Sequence, residues 1–129
     1  MGDLKTYLAA ICGLVLGITT PLPAPAASPS QAEAELHLFA SCTGRLSALR
    51  EFQWNEDTRA SEDTSRQMES LIQLLEATTT PTTAARALGW RIEAKAAQRS
   101  LLNEARYRKD PRLSAQARSV LAPCLRLTF

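Results

Sequence analysis

Few side chains in this sequence could carry out acid–base, nucleophilic or metal chemistry. There is one histidine, His37. A Ser–His–Asp arrangement built on it is formally open, but no serine or acid is marked out to complete it. Carboxylates offer a second route. Glu51, Glu56, Asp57, Glu62 and Asp63 fall close together, and paired carboxyl groups are the machinery of sugar hydrolysis. Acids at such a junction more commonly cap or solvate helices. The chain has no glycine-rich phosphate loop and no C-x-x-C-H haem attachment. A lone histidine without free cysteines makes no zinc set. The expectation is no catalytic residue, no metal and no cofactor.

Sulfur chemistry depends on compartment. Residues 1–26 read as a secretory signal peptide: a short charged head, the apolar run LAAICGLVLGITT, then PLPAPAA with the A-x-A form at Ala24, Pro25 and Ala26. The run is shorter than the roughly 20 residues a spanning helix needs, and Pro21 and Pro23 stop it. MGDLKT also fits a myristoylation pattern at Gly2, and Cys12 suggests a lipoprotein cysteine. Ile11 stands where such a cysteine wants a small neighbour, and the export core accounts for both stretches. Cleavage leaves two of the three cysteines, Cys42 and Cys124. An even pair in an oxidising compartment is most simply a disulfide; two buried free thiols are the alternative. Such a bond would add about 4 kcal/mol by loop-closure entropy.

The elements that position these residues are helical. After a flexible tail over 27–30, residues 31–129 form a single domain. A first helix from Gln31 to Trp54 sets Leu38, Phe39, Cys42, Leu46 and Leu49 on one stripe. Gly44 falls on a second face with Ser41 and Ala48. A mid-helix glycine costs about 1 kcal/mol relative to alanine, so close approach of another helix is expected at those three residues. A second helix, Ser61 to Ala77, carries Met68, Leu71, Ile72 and Leu75. Thr80 and Pro81 open a third, reaching Lys109 with Trp90, Ala94, Ala97, Leu101 and Ala105 as its apolar face. Asp110 and Pro111 start a fourth, with Leu113, Ala117, Val120 and Leu121, and Pro123 ends it. LRLTF alternates Leu125, Leu127 and Phe129, as in barrel strands, yet a barrel needs about eight such segments; it reads as an extended tail packed on the bundle. The fold class is all-α: a small bundle of about four helices clasped by Cys42–Cys124.

Charge is segregated along the chain. Ser28 to Ala85 holds nine acidic and four basic residues, net −5, whereas Arg86 to Phe129 holds three and ten, net +7. On the third helix Arg91, Lys95, Arg99, Arg106 and Lys109 share one angular sector. Like charges at these spacings repel by a few tenths of a kcal/mol per pair, so compensation is expected. It comes either from the acidic first half folded back, favoured for Arg91 and Lys95, or from an anionic partner. The latter is favoured for Arg106 and Lys109, which stand beside Arg108 and Arg112. The partner would be an acidic protein or an envelope component. Nucleic acid has the right charge, but export and the lack of interleaved aromatics argue against it.

CTGRLSA followed by EFQW, then RIEAKAAQRSLL and a late cysteine, resembles a group of small exported proteins of alphaproteobacteria, over Phe39 to Cys124. The resemblance implies a periplasmic helical protein with paired cysteines. That group has no assigned activity, so no functional residue carries over. The functional expectation is a periplasmic or secreted bacterial interaction module without catalysis and without a transmembrane span after cleavage. Alternatives are a small-molecule or lipid carrier with its ligand between helices, and a small hydrolase. Intact-mass analysis of the protein from its native host is expected to show a chain starting near Ala27; retention of Met1 would overturn the export reading.

Overall fold

Caps and prolines set most of the helix boundaries. Ser28 accepts a hydrogen bond from the Gln31 amide at 3.3 Å and Pro29 opens α1, Pro29–Trp54. Asp57 caps α2, Thr58–Thr78, through the Ala60 amide at 3.0 Å. Asp110 caps α4, Pro111–Leu125, through the Arg112 amide at 2.8 Å. Between them lies α3, Ala84–Arg108. This computed structural model describes residues 21–23, 25 and 28–127. The expected signal peptide lies almost wholly outside the described residues, as does the terminal Phe129. No strand occurs among the described residues, and no described helix is long and apolar enough to cross a membrane.

Four boundaries differ from the sequence reading by more than one residue. α1 begins at Pro29, inside the stretch expected to be a tail, because the Ser28 cap precedes it. α2 starts at Thr58 rather than Ser61, one residue after its aspartate cap. α3 starts at Ala84 rather than Pro81. Residues 81–83 instead form a turn, held by the Thr80 carbonyl accepting from the Thr83 and Ala84 amides at 3.0 Å. α4 runs through Pro123 to Leu125. A proline this near a C-terminus removes only one ladder bond, and the Arg126 amide still reaches the Ala122 carbonyl at 3.3 Å. Leu125 is therefore helical, not part of an extended tail, while Leu127 packs on the core from the following turn.

The helices run up, down, up and down, with α1 at the centre. It packs extensively against α2 and α3, α4 rests on α3 and α1, and α2 scarcely meets α3. Cys42 and Leu46 of α1 join Met68 and Leu71 of α2 and Leu121 and Cys124 of α4 in the main core cluster. Leu36 and Ala40 join Leu75 and Ala87 in a second. Five successive residues of α1, Ala40 to Gly44, are buried, so this helix is enclosed on every side rather than amphipathic. The polar groups at this enclosure are matched within α1 and across to α2. Thr43 Oγ1 donates to the Phe39 carbonyl at 2.8 Å, Ser61 Oγ to the Arg50 carbonyl at 3.1 Å, and Thr64 Oγ1 to Gln53 Oε1 at 2.7 Å.

Two contacts fix α1. The Cys42–Cys124 disulfide joins residues 82 apart in sequence with their Cα atoms 5.2 Å apart, tying α4 to the middle of α1. On the other face Ser41, Gly44 and Ala48 are all buried. A Cβ placed on Gly44 would lie 2.2 Å from the Arg91 carbonyl oxygen and 3.0 Å from the Lys95 nitrogen, both backbone atoms of α3. α1 and α3 therefore meet backbone to backbone, and glycine is the side chain that allows it.

That contact also explains why α3 turns inward a face that shares only Ala105 with the one expected. It buries Ala87, Gln98, Leu102 and Ala105, whereas Ala97 is exposed and Trp90, Ala94 and Leu101 are half-buried. Its backbone near Arg91 docks on Gly44, and this rotates the Trp90–Ala97–Leu101 line toward the seams. Gly89, by contrast, has nothing within 4 Å of a Cβ position. Gly44→Ala is expected to lower stability by about 1–3 kcal/mol despite alanine's better helix propensity. Gly89→Ala should raise it by up to about 1 kcal/mol. Chemical denaturation of the two variants tests both signs.

Candidate anion-binding surface

The five cations singled out on α3 meet different surroundings, because α1 and α3 run parallel. Arg86 near the start of α3 pairs with Glu33 near the start of α1 at 2.5 Å. Further along, Lys95 Nζ lies 2.5 Å from Glu51 Oε1, and Arg99 takes the other oxygen of the same carboxylate. Arg106 pairs with Glu56 at 2.9 Å, its guanidinium carbon 5.6 Å from the Phe52 ring centroid. Thus Lys95, Arg99 and Arg106 all meet acids contributed by or following α1. Arg91 is half-buried at the Gly44 crossing, where α1 offers only small residues, and it makes no ion pair among the described residues. Lys109 ends α3 with left-handed backbone, φ 51°, and points no charge at a described acid.

The division differs from the sequence-based one. Arg106, expected to face outward, is paired; Arg91, expected to pair, is not. The reason is register. Glu51 lies seven residues beyond Gly44 and so meets α3 one to two turns beyond Arg91. Sequence spacing identifies the sector of α3 but not which turn an acid reaches.

Four of the five acids around the first connection are each held by a separate task, and Glu62 is exposed. Glu51 serves Lys95 and Arg99, Glu56 serves Arg106, Asp57 caps α2 and Asp63 pairs with Arg66. Such pairing neutralises and orients; it does not present two carboxyl groups to one bond. His37 sits edge-on to Trp90 with ring centroids 4.8 Å apart. No group of three or more histidine, cysteine, aspartate or glutamate side chains could hold a metal among the described residues.

α1 and α3 end, and α2 and α4 begin, at one pole of the bundle. The α3–α4 connection brings Arg108, Lys109 and Arg112 together there, with Arg118 two turns along α4. All are exposed, and none forms an ion pair among the described residues. Arg108 stands in the last turn of α3, where a cation complements the helix dipole. Arg112 stands in the first turn of α4, where it opposes the dipole. Two aromatics share this pole: Tyr107 is 89% exposed and Trp54 is 62% exposed. In the sequence Arg108 and Arg112 are visible only as neighbours of Lys109; Tyr107 and Arg118 carry no signal there, because solvent exposure is a tertiary property. No family model matches this chain, and neither does any curated protein or solved structure.

The Lys95 hydrogen bond, aided by Arg99 and the charges of both, holds the Glu51 carboxyl below its ordinary range against the opposing effect of partial burial. A carboxylate with a lowered pKa in the folded state contributes stability at pH above its unfolded value. That contribution is lost as pH falls through the folded value. Because Glu51 is half-exposed, the gain is at most about 1 kcal/mol. The wild-type chain should therefore lose more stability than Glu51→Gln between about pH 5 and pH 3. Denaturant midpoints across that range measure the difference; identical pH profiles would show that the pair contributes nothing.

Proposed function

We propose that the protein is a non-enzymatic bacterial envelope module, periplasmic or secreted, which docks its α3–α4 pole on anionic lipid headgroups. One observation carries the reading: among the described residues Arg108, Lys109, Arg112 and Arg118 form no ion pair, although the same chain supplies acids for Lys95, Arg99 and Arg106. Internal neutralisation thus accounts for the middle of α3 and leaves the α3–α4 corner of the pole cationic, beside the acidic α1–α2 connection. Arg112 costs the fold a little through the helix dipole, and a phosphate-bearing surface would repay that cost. Tyr107 beside these cations suits a headgroup layer, where an aromatic ring with a polar tip is at home. Each exposed cation near such a surface adds about 1 kcal/mol, so four give weak, reversible, salt-sensitive attachment.

Sedimentation with phosphatidylglycerol vesicles is the direct test. Binding is expected at low salt, absent on phosphatidylcholine, and lost when Arg108, Lys109 and Arg112 are changed together to glutamine. Changing Lys95 and Arg99 to glutamine should lower stability by roughly 0.5–1 kcal/mol and leave vesicle binding intact. A triple variant that still sediments would reject the pole as the docking surface.

A further inference from the structure

Away from that pole, between α1, α3 and α4, lies a cleft of about 420 Å³, a size common for small-molecule sites. Its walls include Ala97, Leu101 and Val120; Arg45, Gln98 and Glu104 are among its polar members, with Ser100 and Gln116. Gln98 is only 2% exposed. Its Nε2 donates to the Ala117 carbonyl at 3.3 Å, while its Oε1 is buried with no partner. A buried acceptor is ordinarily matched by a donor, and no described residue supplies one here. Arg45, half-buried on α1, makes no ion pair among the described residues. Glu104 is exposed at the rim, held only by Ser100 Oγ at 3.4 Å. The cleft therefore joins apolar walls to an unmatched acceptor, an unpaired cation and a carboxylate.

We propose that this cleft binds a small apolar amino acid, its carboxylate on Arg45 and its ammonium on Gln98 Oε1 and Glu104. A planar guanidinium suits a carboxylate through paired hydrogen bonds. The ammonium supplies the donors that Gln98 lacks, and the side chain lies against Ala97, Leu101 and Val120. A single water would satisfy Gln98 alone; it would leave the convergence of the two opposite charges on the same cleft without a use. This site is independent of vesicle attachment, and either can fail without the other.

Titration calorimetry of the folded, disulfide-bonded chain tests it with three probes. These are L-leucine, isocaproate (which lacks the ammonium) and leucinamide (which lacks the carboxylate). Leucine is expected to bind saturably, and each analogue at least about tenfold more weakly, the loss of one charged contact. Arg45→Gln should weaken leucine about tenfold while leaving leucinamide unchanged. Ala97→Phe, made at an exposed wall position so that the core is untouched, should abolish leucine binding with the helical circular dichroism preserved. No saturable leucine binding up to about 10 mM, equal affinity for isocaproate, or an Ala97→Phe variant that binds normally would each overturn the proposal.

Discussion

At the crossing of α1 and α3 there is no room for one carbon atom. A Cβ on Gly44 would fall 2.2 Å from a carbonyl oxygen of α3, so the two backbones are in contact and everything lateral to them is set by that distance. Ser41 and Ala48 keep the same face low on either side of the glycine. With α3 so close, α1 is enclosed by its neighbours, and small side chains occupy positions that large ones would fill in an ordinary bundle. The core gains little apolar area per residue there. Close backbone packing and dispersion compensate for part of that loss.

The ion pairs follow from the same crossing. Once Arg91 is placed over Gly44, parallel helices put Lys95 and Arg99 beside Glu51 and Arg106 beside Glu56. Each pair is half-exposed and individually weak. Together they offset the repulsion among cations spaced along one side of α3. The disulfide acts from the opposite side of α1, anchoring α4, whose contact with α1 is otherwise limited. Close packing on one face and a covalent bond on the other thus hold α1, with its Leu38, Phe39, Cys42, Leu46 and Leu49 stripe set in the main core cluster.

The polar features left over are arranged by what that frame consumes. Acids near α1 are spent on α3, which leaves the α3–α4 connection cationic. The cleft lies between α3 and the middle of α4, where Gln116 and Val120 face α3 beside Arg45. Gln98 sits where that cleft meets the α3–α4 contact, hydrogen-bonded on one side and unmatched on the other.

Local chemistry was legible in the chain. The Asp110 cap with its proline start at Pro111, the pairing of Cys42 with Cys124 and the all-helical class are properties of short segments or of residue type, and they need no knowledge of neighbours. Gly44 was legible as a demand for close approach, since a glycine inside a helix costs stability unless something uses the space. The identity of the helix that uses it was not. The same limit hid most of the inward face of α3: Trp90, Ala94, Ala97, Leu101 and Ala105 form a plausible apolar line, yet the buried set is Ala87, Gln98, Leu102 and Ala105, which shares one residue with it. A helix with apolar residues on several sides can be rotated without changing its periodicity. The rotation was decided by the joint fit of the α3 backbone to Gly44 and of Lys95, Arg99 and Arg106 to the acids of α1. Those contacts join residues more than 40 positions apart, a separation over which local pattern carries no information about register.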